Sequence, residues 1–483
     1  MRQTIDEGKL ATYFEKDTGI RVPSIEVEGR THKVDKLEEP ESTVFDETLK
    51  YAKAGSNILT FLPGVREIDD MKRELESALE KDGVYDIIVL PLHGKLTEDE
   101  QKLVDIDYPG RTKIILSTNV AQTSLTIKDI DVVVDSGFER RIEINLEGVQ
   151  SLRENNISQA DCNQRAGRAG RTHEGLYILT KLDKYTDFKP FINREEYQKP
   201  EILRSDVDRN TLAVAATGLD FSKLELFHPL DSESLRQSSH RMHILGALDE
   251  NGQITERGRR MNKFPVHPTS ARMMIESDHY SDETRAYVAA VVSVTEVGGL
   301  PLFLQNSSRK WRELSDENQS DHLAQLDVFI AIQNMSEREI KQLGLDTRNV
   351  TRARELYGKI LKRAKIPTHE LEAPTLQQRE DIVDCVAAGL IDFVYESAGN
   401  GKFVRAIGHH ATEREISNRS TVAGSPTHLV GIPYGYNDKR KGEQSIIENA
   451  SSIKLAILGK VAANLCVMVD FGPVKWRGEK PVY

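Results

Sequence analysis

The densest chemistry in this 483-residue chain lies in one octet, Gln164-Arg165-Ala166-Gly167-Arg168-Ala169-Gly170-Arg171. Its three arginines recur at i, i+3 and i+6, a spacing that brings them near one another on a helical face. Gly167 and Gly170 leave the backbone bare between them. A guanidinium is a forked donor matched to phosphate oxygens, and its charge does not titrate away. A solvated basic helix start is the bland alternative, and the octet's strand-and-helix setting argues against it. A second run, Ser117-Thr118-Asn119-Val120-Ala121-Gln122-Thr123-Ser124-Leu125-Thr126-Ile127, is dense in hydroxyls and follows an apolar segment. Such a loop offers short donors to phosphate oxygens, and serves equally well as a Ser/Thr-rich helix cap.

The elements around these runs must position them. Ile58-Leu59-Thr60-Phe61-Leu62, Ile87–Leu90, Lys113–Ser117, Val132–Val134 and Leu176–Leu179 read as short buried strands. Val65, Ile68, Met71, Leu75 and Leu79 recur at helical spacing between the first two. Apolar runs separated by helices indicate a parallel sheet covered on both faces, with ligands expected at the carboxyl ends of its strands. Past about Pro190 helical patterns dominate to about residue 370, broken by turns such as Asp249-Glu250-Asn251-Gly252. From about Gly389 short strands return around Gly399-Asn400-Gly401, Gly424-Ser425-Pro426 and Gly431–Gly435, and this part reads as a small β-rich domain.

Composition sets the outer limits. At roughly 100–200 residues per domain the length implies about three or four domains. With 65 basic and 76 acidic side chains the net charge is −11. A bulk polycation is therefore excluded, and any nucleic-acid contact must come from local basic patches. Cys162, Cys385 and Cys466 are far apart and form no CxxC pair, so they read as cytosolic thiols rather than a zinc ribbon or disulfide framework. The N-terminus lacks a signal-peptide core, and the longest apolar stretch, near Ala286–Val294, is too short to span a membrane.

Taken together, these residues resemble the DEAH-box family of ATP-dependent RNA helicases of superfamily 2, over nearly the whole chain. Gly29-Arg30-Thr31 looks like the entry to the family's second RecA-like domain. Ile58–Gly64 with Glu67-Ile68 looks like motif IV, Leu92–Leu96 like the loop after the next strand, Thr118–Ile127 like motif V and Gln164–Arg171 like motif VI. The segment from Asp135 to Ser158 resembles the strand-separating β-hairpin. Pro200–Arg204 resembles the start of a winged helix, and Thr255–Gly258 with Pro265–Pro268 and Ala271–Met273 its exit into a helical ratchet domain. Asp321-His322-Leu323 matches the ratchet's DHL.

The resemblance implies an α/β RecA-like parallel-sheet domain followed by a winged helix, an α-helical ratchet bundle and a β-rich OB-fold. The implied division is a remnant of a first RecA-like domain (1–18), the second RecA-like domain (19–188), winged helix (189–263), ratchet (264–386) and OB-fold-like domain (387–483). It also implies that Arg168 and Arg171 are arginine fingers on a nucleotide's γ-phosphate, that Gln164 lines the same cleft and that Ser124 senses nucleotide state. Thr118 and Asn119, with Gly94 and Lys95 from the neighbouring loop, would hold the RNA backbone. The implied ligands are ATP with Mg²⁺ and single-stranded RNA; the implied location is cytoplasmic.

The pattern also has gaps. No Gly-Lys is followed by Ser or Thr, and no DEAH-type tetrapeptide occurs. Met1-Arg2-Gln3-Thr4-Ile5-Asp6 with Tyr13-Phe14 resembles motif III, with Arg2 and Gln3 in place of Ser and Ala. The chain is therefore expected to begin where a first RecA-like domain ends, and ATP would bind only with such a domain supplied by another chain. Gln122 stands where motif V usually carries Glu, Lys128 where many members have Asp, and Asp105 where the family has an adenine-stacking Phe. An acid cannot supply that stacking.

Weaker candidates remain outside these motifs. Arg309-Lys310-Trp311-Arg312 and Lys475-Trp476-Arg477 interleave cations with an aromatic, which suits single strands, though either tryptophan can equally be a core residue. Asp438-Lys439-Arg440-Lys441 is a basic loop that can touch RNA or simply be solvated. The 13 histidines show no metal-ligand spacing. Three readings follow: a helicase component working with a first RecA-like domain, a non-catalytic RNA-binding module, or a truncated fragment.

Overall fold

The computed structural model describes residues 7–23, 25, 32–94, 96–123, 127–145, 148–299, 309–406, 412–438, 442–462, 475–477 and 480–482. The chain divides into two compact units, Met1–Glu143 with Leu152–Arg204, and Ile144–Ser151 with Ser205–Tyr483.

Among the described residues up to 181 there are eight strands: β1 (Val34–Thr43), β2 (Ile58–Phe61), β3 (Ile87–Leu92), β4 (Thr112–Ser117), β5 (Val132–Asp135), β6 (Phe138–Ile144), β7 (Gln150–Asn156) and β8 (Gly175–Lys181). Helices α1 (Glu7–Thr18), α2 (Val44–Lys53), α3 (Val65–Lys81), α4 (Glu98–Lys102), α5 (Val120–Thr123) and α6 (Gln159–Ala166) are interspersed with them. Six of the strands build one parallel sheet in the order β1-β8-β5-β2-β4-β3. The five apolar strands read from the sequence are all present. Successive residues alternate faces. Leu59, Phe61, Ile115 and Val133 pack with Cys162 and Ala166 of α6, while Ile58, Ile114, Val132 and Val134 pack with Ile68, Met71, Leu75 and Leu79 of α3. Each such side chain, moved from water to this core, contributes about 1.5–3 kcal/mol.

Strand β1 was not foreseen. Its sequence, VDKLEEPEST, carries four acidic residues and a proline and has no apolar alternation. It is an edge strand that pairs only with β8, in a register that shifts between Glu39 and Thr43, around Pro40. An edge position tolerates both the proline and the charges.

The second unit opens with helices Asp208–Ala216, Ser232–Ile244 and Glu256–Met261, and Leu248 bridges Ile254 across the turn at Gly252. Helices Pro268–Glu276, Asp282–Glu296, Asp321–Ala331, Thr347–Ala364 and Leu376–Gly389 follow, so the helical part extends beyond residue 370. The apolar stretch Ala286–Val294 is the buried middle of Asp282–Glu296, and no described helix is long and apolar enough to cross a membrane. Trp311 is buried in this core (5% exposed), so of its two readings, stacking platform or core residue, it takes the second. The side chain of Trp476, the basic loop 439–441, His409, His410 and Cys466 lie outside the described residues.

Strands β9 (Val394–Gly399), β10 (Lys402–Arg405), β11 (Arg414–Ile416), β12 (His428–Asp438) and β13 (Gly442–Ser452) close into a barrel, because β13 pairs with both β12 and β11. Two of these strands are eleven residues long, longer than the short strands expected. Gln150 and Ser151, in the hairpin tip that belongs to this unit, pair in parallel with Tyr434 and Gly435.

His322 sits where helix Asp321–Ala331 meets β13, fully buried, with Nδ1 2.8 Å from Ser451 Oγ. Burial pushes its imidazole down to about 4. The folded state therefore holds the neutral ring. The associated stability is complete above the unfolded value near ~6.5 and is lost as pH falls toward the folded value, by on the order of 3 kcal/mol. A His322→Gln variant is expected to lose this part of the acid sensitivity. Urea-unfolding midpoints followed from about pH 7 down to about pH 4.5 measure it, and parallel trends in the two proteins would refute the assignment.

Candidate functional site

The site is organised by α6 and the turn after it. Ser158 caps α6: its hydroxyl donates to Asp161 Oδ2 at 2.5 Å and accepts from the Asp161 amide at 3.1 Å. The helix ends at Ala166, and residues 167–170 continue as a tight turn, with Arg168 N donating to Arg165 O at 3.0 Å and Ala169 N to Ala166 O at 3.1 Å. The expectation that the three arginines share a helical face is therefore corrected: only Arg165 is helical. The turn is forced by a close approach at Gly170, where an added Cβ would lie 2.6 Å from Val34 Cγ2 and 2.7 Å from His32 O. Gly167 has room for a side chain, so its bareness is not needed for packing.

Arg165 turns inward and is 1% exposed. Its Nη1 donates to Asp135 Oδ1 at 2.8 Å and its Nε to Gln122 Oε1 at 3.1 Å, with the guanidinium 4.6 Å from the centre of the Phe61 ring. Asp135 also accepts from Tyr177 Oη at 2.9 Å and from Gly137 N at 2.8 Å. Burial is the largest influence and opposes the Arg165 charge, but Asp135 together with Tyr177, Glu139 and Asp161 holds the guanidinium above its ordinary value. Arg165 therefore ties strands rather than gripping phosphate. Asp135, Tyr177 and Phe61 had no assigned role in the sequence reading, since nothing in their spacing marks a contact between positions so far apart.

Arg168 and Arg171 behave differently. Arg168 Nη2 donates to the main-chain carbonyl of Gln122, in α5 just past the carboxyl end of β4. Burial, and then the charge of Arg171, push Arg168 down to about 10; burial also lowers Arg171. The charge of Arg171 thus acts on Arg168, while burial alone acts on Arg171. Gln164 joins them, its Oε1 accepting from Gln122 Nε2 at 2.9 Å.

Gly94 and the Thr118-Asn119 pair follow the adjacent strands β3 and β4, so both loops emerge side by side at the sheet's carboxyl edge. Thr118 N donates to Leu92 O at 3.3 Å, and Asn119 and Gly94 are exposed. Ser124 and Lys95 lie outside the described residues, as do Gly29–Thr31 and Met1–Asp6.

Among the described residues one trio with metal-ligand chemistry does assemble, although the sequence spacing gave no sign of it. Asp206, Asp208 and His267 bring their ligand atoms within 4.8 Å of one another. Their donors are already engaged: Arg241 binds both oxygens of Asp208 at 2.8 and 2.7 Å, and His267 Nε2 lies 3.0 Å from Asp206. The trio is an ion-pair network joining three helices. Cys162 and Cys385 are free and buried, and burial pushes the Cys162 thiol up to about 11, so neither is a ready ligand or nucleophile.

Comparison with known proteins decides the family. Residues 41–173 match the helicase conserved C-terminal domain, and residues 240–266 match the winged-helix helicase associated domain HA2. The chain is 30% identical over 341 residues to the pre-mRNA-splicing factor ATP-dependent RNA helicase prp22 of Schizosaccharomyces pombe, which covers 68% of this chain and 28% of that protein. The chain belongs to the DEAH/RHA helicase family. It corresponds to the C-terminal half of such a helicase. Crystal structures of the Escherichia coli DExH-box NTPase HrpB, at 22% identity, superpose with TM-scores of 0.69 and 0.68, covering 96% and 92% of this chain and 51% of theirs. At that identity the likeness speaks for the fold: a RecA-like sheet, a helical part and a barrel. The chain spans about half the length of these solved relatives and 28% of the curated one.

Within this helicase half, Arg165 is the residue on which the site's folding rests. Arg165→Ala would leave Asp135 charged and buried, and the expected loss is about 3–5 kcal/mol of unfolding free energy. Urea denaturation measures it, and a loss below about 1 kcal/mol would remove Arg165 from that role.

Proposed function

We propose that this chain is the C-terminal part of a DEAH-box ATP-dependent RNA helicase, supplying arginine fingers and an RNA-binding path to ATP-driven unwinding or translocation. The observation that carries the reading is the Arg168–Arg171 pair. Burial presses on both guanidiniums, and the charge of Arg171 presses further on Arg168. A γ-phosphate beside them would relieve that pressure and gain forked donors for the charge that spreads over it during transfer. The residues present fit the phosphate end of ATP: Arg168 and Arg171 would hold it and Gln164 would line the cleft, with Ser124 assigned there on family resemblance. ATP supplies the phosphoanhydride whose cleavage drives the cycle. The nearest carboxylates are already engaged, Asp135 with Arg165 and Tyr177, and Asp161 with Ser158 and Gln122, so they do not fit as Mg²⁺ ligands. Mg²⁺ and the rest of the nucleotide would be held by a first RecA-like domain on a separate chain.

On the same reading the RNA backbone runs over Gly94, Thr118 and Asn119, at the edge where the β3 and β4 loops emerge, with Lys95 assigned to it on family resemblance. The proposed division is a first-domain remnant (1–18), RecA-like domain (19–188), winged helix (189–263), ratchet (264–386) and OB-fold (387–483). The five-stranded barrel supports the last of these. Free buried cysteines suit a reducing compartment such as the cytoplasm. A second reading, RNA binding without turnover, is favoured by Asp105. Its exposed carboxylate stands where the family places a base-stacking aromatic.

Mixing the chain with a first RecA-like domain that carries GxxxxGK[ST] and DExH is expected to give RNA-stimulated ATPase. Arg168→Ala should lower turnover by ~10³–10⁵-fold while RNA binding survives. Undiminished ATPase in that variant would overturn the finger assignment. RNA binding that weakens steeply with salt, with no ATPase in any mixture, would favour the second reading.

A further inference from the structure

Gln122 makes more contacts to the arginine octet than any role yet given to it would require. Its amide nitrogen donates to Asp161 Oδ1 at 2.7 Å and to Gln164 Oε1 at 2.9 Å. Its amide oxygen accepts from Arg165 Nε at 3.1 Å. Its main-chain carbonyl accepts from Arg168. Both amide protons and the oxygen are thus in use, in a side chain only 7% exposed. The four partners run along the octet's helix and turn: the capping acid at the start of α6, two residues in its last turn, and the first residue beyond Gly167.

We propose that Gln122 is the positioning residue of the arginine site, and that its amide, rather than a carboxylate, is what the site requires. Asp161 is the reason. Its Oδ2 is taken by Ser158 Oγ and N, and its Oδ1 faces Gln122 at 2.7 Å. That oxygen needs a donor. A glutamate at 122 would set carboxylate against carboxylate, and one of the two would have to take up a proton or move away. Arg165 lies close enough to soften this repulsion, but it is already bound to Asp135. If the side chain moves, the contacts to Gln164 and Arg165 go with it, and the backbone that holds Arg168 is released. Glutamine thus keeps this contact itself independent of pH, because neither proton it gives to Asp161 and Gln164 titrates; the other titrating carboxyl that acts on Arg165 is Glu139, raised by burial, and it is present in every variant compared below.

The proposal rests on the arginine-finger reading for its consequence in ATP turnover, but its test does not need turnover. The whole chain, labelled with ¹⁵N and ¹³C at arginine, reports the Nε–H signals of Arg165 and Arg168 directly. Wild type sets the reference from about pH 8 to about pH 5, moving only as Glu139 moves Arg165. Gln122→Glu should fold, show both signals displaced from that reference at about pH 8, and return to it as pH falls and a shared proton restores the missing donor. Adding Asp161→Asn to Gln122→Glu reverses donor and acceptor across the same contact, with the Gln164 amide turned to donate, and should return the signals to the wild-type reference at every pH. A purely structural role would lower the melting temperature of Gln122→Glu without a pH-reversible displacement or rescue by the second substitution. Should Gln122→Glu not fold, the double variant and Gln122→Ala decide. A folded double variant with wild-type signals, beside displaced signals in Gln122→Ala, supports the proposal; wild-type signals in Gln122→Ala overturn it. Unchanged signals in Gln122→Glu at every pH, or a displacement that pH does not reverse, overturn it as well. Absence of ATPase in the reconstituted mixture would count against the finger reading alone.

Discussion

The Arg165–Asp135 pair is the constraint on which the rest of the first unit depends. Both groups are essentially without solvent, and removing a guanidinium and a carboxylate from water costs several kcal/mol per ion unless each is fully partnered. The chain meets that condition with groups from five elements. Asp135 closes β5 and takes the Tyr177 hydroxyl of β8; Arg165 comes from α6, rests on Phe61 at the end of β2, and hydrogen-bonds Gln122 of α5. A pair that is satisfied only when five elements converge holds them in one arrangement. Apolar packing between the same elements would leave more freedom to slide.

The octet is therefore divided by function although its arginines look alike in sequence. Arg165 sits on the helix and faces the sheet. Arg168 and Arg171 lie beyond the cap, in a turn that Gly170 presses against His32 and Val34. Had the helix continued through residue 171, the three guanidiniums would have shared one stripe, and their repulsion would have fallen on the buried member as well. Ending the helix at Ala166 separates Arg165, paired internally with Asp135, from Arg168 and Arg171 in the turn beyond it.

The sequence made the sheet legible because its central strands are buried on both faces. Residues 58–61, 112–117 and 132–135 could be read as strands from apolar runs alone. Strand β1 was illegible for the opposite reason: at an edge, charges and a proline carry no penalty and leave no pattern. The family motifs located Gln164, Arg168, Thr118 and Gly94 by resemblance, but not how they are held. The contacts of Gln122 with Asp161, Gln164 and Arg165 span 39 to 43 positions. No local period encodes contacts at such separations. The turn after Ala166 was likewise invisible, since i, i+3, i+6 spacing fits a helix equally well. In that turn Gly170 approaches His32 and Val34 too closely for a Cβ, a contact between distant segments that no local pattern encodes.

Arg194 extends the same logic to the β6–β7 hairpin. It is buried, and its guanidinium reaches three main-chain carbonyls: Gly137 at 2.7 Å, Ile157 at 3.2 Å and Lys189 at 2.9 Å. Gly137 and Ile157 are the two feet of the hairpin, joined by a hydrogen bond in which Ile157 N donates to Gly137 O at 3.0 Å. Gly137 has a positive φ of 72° and no space for a Cβ beside Arg194. The segment that carries Arg194 also holds the first turn of α6, because Gln159 donates from its amide side chain to Arg194 O at 3.0 Å and from its backbone to Glu195 O at 2.8 Å. One strap thus grips the hairpin feet and the start of the helix that leads to Arg168. Asp135, two residues before the first foot, is already bound to Arg165 on that helix. The hairpin base and the arginine turn are therefore joined twice, once through an ion pair and once through main-chain carbonyls, and a displacement of either must strain both.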